Sequence, residues 1–257
     1  MSKDTSTDAF HEAASIISAT LDSIVNSNCS QTTFINNRIV LRPKSFFLSW
    51  NGVLCLVFHG FPVPLEQFKH SLNKKCNDNG YPKENFGSQW AKVTLAHVRE
   101  DVPPLSLEEF GRLKQICIDA SITFIQESCV PIHTVSLVQY EWRSLEKNIQ
   151  TRHWNVPSEM PGTSGISIEQ EAKMNKVYSE WDDETTYLAK FNAKGIPYRL
   201  ALPKNGLTCV MFLDLESVPV ISQAVSKLQA RIEEEFQDRY VWMEEDSLHC
   251  TIRAMDR

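Results

Sequence analysis

The sequence predicts an α+β fold built from two copies of one strand–helix–strand unit, set as two lobes around a central cleft. Three observations predict it. The apolar run Gly52-Val-Leu-Cys-Leu-Val-Phe58 returns as Gly206-Leu-Thr-Cys-Val-Met-Phe212, with glycine, cysteine and phenylalanine coinciding. Each run is followed by a helical pattern and then by a strand of alternating polar and apolar residues. The interval from glycine to polar strand is about 40 residues in both halves, which marks a duplicated unit.

Asp8 to Asn26 reads as an amphipathic helix, with Ala13, Ile16, Ile17, Thr20, Leu21 and Ile24 on one face and Ser6, Thr7 and Asp8 as cap candidates. Packing against the body is its expected role, and docking of a protein partner is the alternative. Val53 to Phe58 is a strand, ended by Pro62 and Pro64. Leu65 to Asn77 is a helix closed by Asn77-Asp-Asn-Gly80. Trp90 to Val98 is a second strand, stopped at Pro103 and Pro104. A helix from Ser106 to about Gln126 and a strand from Ile132 to Tyr140 complete the first lobe.

Residues 141–195 hold Pro157, Pro161, Gly162 and Gly165 with weak periodicity, and read as an inter-lobe connection with one helix near Ile168 to Tyr187. In the second lobe the strand at 206–212 leads to a helix from Val220 to Phe236 and a closing strand from Ser247 to Met255. The organisation is an N-terminal extension at 1–45, a first lobe at 46–140, the connection at 141–195 and a second lobe at 196–257, forming one integrated domain.

Composition narrows the function classes. A chain of 257 residues with 42% hydrophobic and 23% charged residues has the makings of a well-buried core. A net charge of −6 argues against a duplex-DNA binder, which needs a basic surplus. Seven cysteines without a CxxC pair read as free thiols in a reducing compartment, with no disulfide framework or zinc site. No apolar stretch reaches the ~18–20 residues that span a bilayer, and the first residues do not form an ordinary signal peptide. The expected location is the cytoplasm, or the nucleus, away from membranes. P-loop, zincin, α/β-hydrolase and EF-hand signatures are absent, so no metal or cofactor is expected.

The chemistry concentrates on the closing strands, Trp90-Ala-Lys-Val-Thr-Leu-Ala96 and Leu248-His-Cys-Thr-Ile-Arg-Ala254. Alternation puts Lys92 and Thr94 on one face, with Trp90 just before them, and His249, Thr251 and Arg253 on one face of the other strand. A polar stripe on an otherwise apolar strand has to meet water or a ligand. One imidazole, one ammonium, two hydroxyls and a guanidinium suit a phosphate: hydroxyls and the guanidinium donate to its oxygens, and histidine titrates near neutrality.

His249-Cys-Thr251, the paired strand–helix–strand halves and the HCTIR ending resemble the two-histidine phosphoesterase superfamily, the LigT-like and cyclic-phosphodiesterase fold. The resemblance covers about Asn51 to Met255. It implies antiparallel-rich sheets around a cleft and one His-x-Thr/Ser motif per lobe, the histidines acting as base and acid and the hydroxyls holding the phosphate. By that resemblance His249 and Thr251 form the second motif, Thr94 keeps the hydroxyl of the first, and Lys92 stands where the first histidine belongs.

That substitution changes the chemistry. A lysine has an ordinary pKa near ~10.4 and is a donor at neutral pH, becoming a base only after a large downward shift. Three function classes stand side by side. One is a phosphoesterase acting on a 2′,3′-cyclic phosphate or an RNA-end phosphodiester. One is a degenerate module that binds a small nucleotide or RNA 3′-end without turnover. One is an interaction protein working through its N-terminal helix or the 141–195 connection. The other histidines read as structural or solvated: His97 is expected to face with Val93 and Leu95, His59 ends the first strand, and His133 lacks the motif order. His153 and Trp154 are candidates for a lid. Trp90 and Tyr198 are candidates for stacking a base, with core packing as the competing role.

Overall fold

Every side chain of Val53–Phe58 is buried, so this run forms an interior strand with both faces covered. The computed structural model describes residues 5–27, 39–122, 128–156, 165–193 and 206–255. The strands are β1 (Val40–Leu41), β2 (Pro43–Leu48), β3 (Val53–Phe58), β4 (Lys92–Val98), β5 (Val130–Pro131), β6 (Thr134–Tyr140), β7 (Asn148–Asn155), β8 (Gly206–Phe212), β9 (Tyr240–Trp242) and β10 (His249–Ala254). The helices are α1 (Thr5–Ser27), α2 (Val63–Asp78), α3 (Leu107–Ile122), α4 (Ile168–Ser179), α5 (Glu184–Ala193) and α6 (Pro219–Glu235).

The fold is α+β, and the strand pairings among the described residues are all antiparallel. An eight-stranded sheet runs β2-β3-β4-β10-β8-β6-β7, with β9 beside the far end of β4. β1 and β5 form a separate two-stranded ribbon. The two expected lobes are therefore joined in one continuous sheet, in which β4 and β10 are neighbours at the centre. Helices α1, α2, α3 and α6 bury their apolar faces in the main core, with Phe68, Leu72, Leu113, Ile116, Leu228 and Ile232 among its members.

The 141–195 segment carries more structure than its weak periodicity suggests. It contributes the edge strand β7, which is mostly exposed and polar and so has no apolar alternation to read. Two helices follow where one is expected. Around them an aromatic cluster closes over the β2 edge: Phe47 stacks on Trp181 at 4.4 Å and meets Tyr178 at 5.3 Å. Trp181 Nε1 and Tyr187 Oη both donate to the Leu48 carbonyl, at 3.0 and 2.7 Å. β2 and β9 are further strands beyond those expected. Gln126 and Tyr198 lie outside the described residues, as does most of the Pro/Gly-rich middle of the connection.

Strand registers correct the superposition of the two apolar runs. Val57 stands opposite Lys92, and Phe212 stands opposite His249. Phe212 thus takes the place of Val57 and not of Phe58, a slip of one residue. A one-residue slip turns every side chain over. The matching cysteines accordingly fall on opposite faces: Cys55 is opposite Thr94, whereas Cys209 is opposite Arg253.

Candidate functional site

In the central pair Cys250 stands opposite Val93, and both are buried in the main core. Alternation then sends Lys92, Thr94, His249 and Thr251 to the other face. All four are half-buried and line one cleft of about 350 Å³, together with Trp90. The sheet thus brings together the residues singled out from the two halves, Arg253 excepted.

Arg253 fails to join them because β10 is irregular. The ladder to β8 shifts between Thr251 and Arg253, so Thr251 faces Val210 but Arg253 faces the core residue Cys209. A bulge of this kind reverses the alternation beyond it. Arg253 is 1% exposed, and its guanidinium donates to the Pro82 carbonyl instead of facing the cleft. Strand β4 has a shift in its ladder to β3 between the Leu54–Ala96 and Cys55–Thr94 pairs. His97, expected beside Val93 and Leu95, is therefore opposite Val53 and lines a separate cavity of about 90 Å³. Its Nδ1 donates to the Val98 carbonyl at 3.0 Å.

The bulge in β10 is built into one wall of the cleft. Lys69 of α2 is 6% exposed; it donates to the Ile252 carbonyl at the bulge and pairs with Glu84. Glu84 also accepts from Ser88 Oγ at 2.9 Å and from Asn73 Nδ2 at 2.8 Å. Asn85 Oδ1 accepts from the Ser88 amide at 3.0 Å. Lys69, Glu84 and Arg253 thereby hold the stretch from Pro82 to Ser88, and Asn85, Gly87 and Ser88 present themselves to the cleft. Gly87 in turn accepts from the Lys92 ammonium, which lies 4.1 Å over the Trp90 ring.

Burial shifts both titratable groups of the pair downward. His249 Nδ1 lies 2.7 Å from the Ser247 carbonyl, which only accepts, so Nδ1 carries the proton and Nε2 keeps its lone pair. Burial pushes the imidazole down to about 4; the Ser247 bond opposes this, and the charges of Lys92 and Arg143 add to it. His249 is neutral at pH 7. Burial also lowers Lys92 from its ordinary value, with the nearby Cys55 and Cys250 thiols pulling the other way and Arg143 and Lys69 adding to the lowering. Cys55 lines the same cleft, but burial pushes its thiol up to about 11, leaving it protonated and a poor nucleophile at neutral pH.

The cleft is cationic in an acidic chain. Its lining includes Lys92, Arg143 and His249, and no aspartate or glutamate among the described residues. Trp90 lines it but is 5% exposed, with the Lys92 ammonium over its face and its edge on Phe47 at 6.0 Å. That geometry makes it a positioning partner for Lys92 rather than an open stacking platform. His153 and Trp154 sit on β7, where His153 Nδ1 is 2.7 Å from Ser136 Oγ; neither lines the cleft.

Sequence reading missed Ser49, Trp50 and Asn51 in the β2–β3 turn, Tyr140 and Arg143 at the end of β6, and Thr208 on β8. Thr208 interrupts the second apolar run and was the one signal available; the others come from turns with no pattern. Among the described residues, no group of three or more His, Cys, Asp or Glu side chains stands ready for a metal ion. The described cysteines are all free thiols. No described helix is long and apolar enough to cross a membrane. Comparison of the chain with protein-family models, with curated proteins and with solved structures finds no match.

Proposed function

We propose that the protein is a phosphoesterase of the two-histidine type, acting on a 2′,3′-cyclic phosphate or an RNA-end phosphodiester, with one histidine exchanged for Lys92. The observation that carries this reading is the pairing of a neutral His249 with Lys92, flanked by Thr94 and Thr251, in one cleft whose lining holds no carboxylate among the described residues. The likeness between the halves supports it: β2-β3-β4 and β6-β8-β10 flank the centre in the same order, and both ladders shift just beyond Thr94 and Thr251. An approximate dyad between β4 and β10 relates Lys92 to His249 and Thr94 to Thr251.

The chemistry follows from the protonation states. His249 Nε2 accepts a proton from water as the water oxygen attacks phosphorus. The bond from phosphorus to the 2′ or 3′ oxygen breaks, and Lys92 Nζ delivers a proton to that oxygen. Thr94 and Thr251 hydroxyls donate to the non-bridging oxygens, where charge develops. At neutral pH the base is already deprotonated. A bound phosphate anion raises the affinity of both groups for protons, bringing the base closer to the pKa that general catalysis favours.

The test is incubation of the purified chain with nucleoside 2′,3′-cyclic phosphates. Ring opening that disappears in His249→Ala supports the reading; turnover no greater than that of His249→Ala removes it. A second reading rests on the tethering of Lys92 between Gly87 and the Trp90 ring, which restrains it from following a leaving oxygen. On that reading the cleft binds a small nucleotide or RNA 3′-end without cleaving it. Binding without product, and activity gained in Lys92→His, mark this outcome.

A further inference from the structure

The cleft has two unlike ends. Val53 pairs with His97 near the C-terminal end of β4, and the Ser49-Trp50-Asn51 turn leads into it. Thr208 pairs with Ala254 at the C-terminal end of β10, and Tyr140 pairs with Gly206 beside it. Because β4 and β10 are antiparallel, these two C-terminal ends point in opposite directions along the cleft. Asn51 therefore marks one end and Tyr140 the other, and the turn that carries Arg143 folds back from Tyr140 over the sheet, with Leu145 packed on Val138 and Val210 and Glu146 accepting from the Glu244 amide.

The ends differ in charge. Arg143 follows β6 in the turn to β7, a turn completed by the buried Leu145 in the left-handed region at φ 61°. The Arg143 side chain is exposed, lines the cleft, and has no hydrogen-bond or ion-pair partner among the described residues. It stands close enough to act electrostatically on both Lys92 and His249. A second cation beside Lys92, in a cleft whose described lining holds no carboxylate, is uncompensated there until an anion arrives. The cleft-lining residues at the Asn51 end, Ser49, Trp50 and Asn51, are uncharged. Asn51 Oδ1 is a buried acceptor without a partner among the described residues, and Trp50 stands next to it at the cleft surface. A buried acceptor left unpaired costs free energy that a donor on a ligand recovers.

We propose that the cleft is built for a ligand with two anionic groups: a central phosphate between the motif residues, and a second phosphate held by Arg143, with an uncharged hydrogen-bonding group such as a nucleobase at the Asn51 end. This rests on the phosphate-site reading above and specifies its ligand class. A bare nucleoside monophosphate leaves Arg143 unused. A nucleotide phosphorylated at both the 3′ and 5′ positions, or an oligonucleotide 3′-end, engages it through charge-assisted, bidentate hydrogen bonds.

The experiment is calorimetric titration of the intact chain with adenosine 3′-phosphate and with adenosine 3′,5′-bisphosphate, product-like ligands without a cyclic bond to open. The bisphosphate is expected to bind about tenfold or more tightly than the monophosphate, the size of one charge-assisted phosphate contact. In Arg143→Gln, an exposed position where folding is not at stake, the ratio of the two affinities is expected to collapse to about twofold or less. Equal affinities in the wild type, or an unchanged ratio in Arg143→Gln, overturn the second-phosphate site and leave the central site standing. Binding of neither ligand overturns both.

Discussion

Replacing Lys69 with methionine tests whether the bulge in β10 holds the wall of the cleft. Lys69 is 6% exposed, and its ammonium donates to both Glu84 and the Ile252 carbonyl. Glu84 is little exposed as well, its side chain at 16%. Methionine keeps the length and apolar stem of lysine, so packing changes little. What is lost is the counter-ion of a largely buried carboxylate and the partner of a buried carbonyl. Breaking such a pair from one side costs about 3–5 kcal/mol. With a urea slope of roughly 3 kcal/mol/M, the unfolding midpoint falls by about 1–2 M. The partner variant Lys69→Met/Glu84→Gln removes the stranded charge and should recover much of the loss. Affinity for inorganic phosphate should fall in the single variant, because Asn85, Gly87 and Ser88 depend on Glu84 for their placement. A midpoint shift below about 0.3 M, or a double variant no more stable than the single one, would refute the account of the wall.

Three further predictions concern the site itself. His249 is neutral when folded and protonates only near 4, whereas its unfolded value is 6.5. The unfolded chain binds the extra proton in that window, so stability falls as pH drops from 6.5 toward 4. The loss between pH 7 and pH 5 is about 2 kcal/mol by linkage, measurable as urea midpoints, and His249→Asn should remove this part of the slope. Lys92→Met should weaken inorganic phosphate binding by about tenfold or more in calorimetry, since a charge-assisted donor is lost; unchanged affinity places the anion elsewhere. Thr94→Val and Thr251→Val should each weaken phosphate binding by several-fold to about tenfold, with the fold unchanged by circular dichroism, as expected for loss of one hydroxyl donor.

Local pattern alone carried the α+β class, the placement of the principal strands and helices, and the choice of Lys92, Thr94, His249 and Thr251. Each of these depends on side chains alternating along a strand or recurring along a helix, which adjacent residues encode by themselves. The same pattern misled at Arg253 and His97, because a bulge adds a residue to one strand without leaving a mark in hydrophobic periodicity. It misled again in matching Cys209 with Cys55, where the ladders run one residue out of step with the resemblance. Strand β7 was invisible because an exposed edge has no face to bury. The duplicated halves already put both closing strands at the central cleft; only the tertiary structure decided that they pair directly within one sheet, that a lysine beneath the sheet braces a bulge, and that an arginine from a distant turn, unpaired among the described residues, stands at the cleft. Those facts depend on contacts between residues far apart in the chain, and such contacts are set by the packing of the whole sheet.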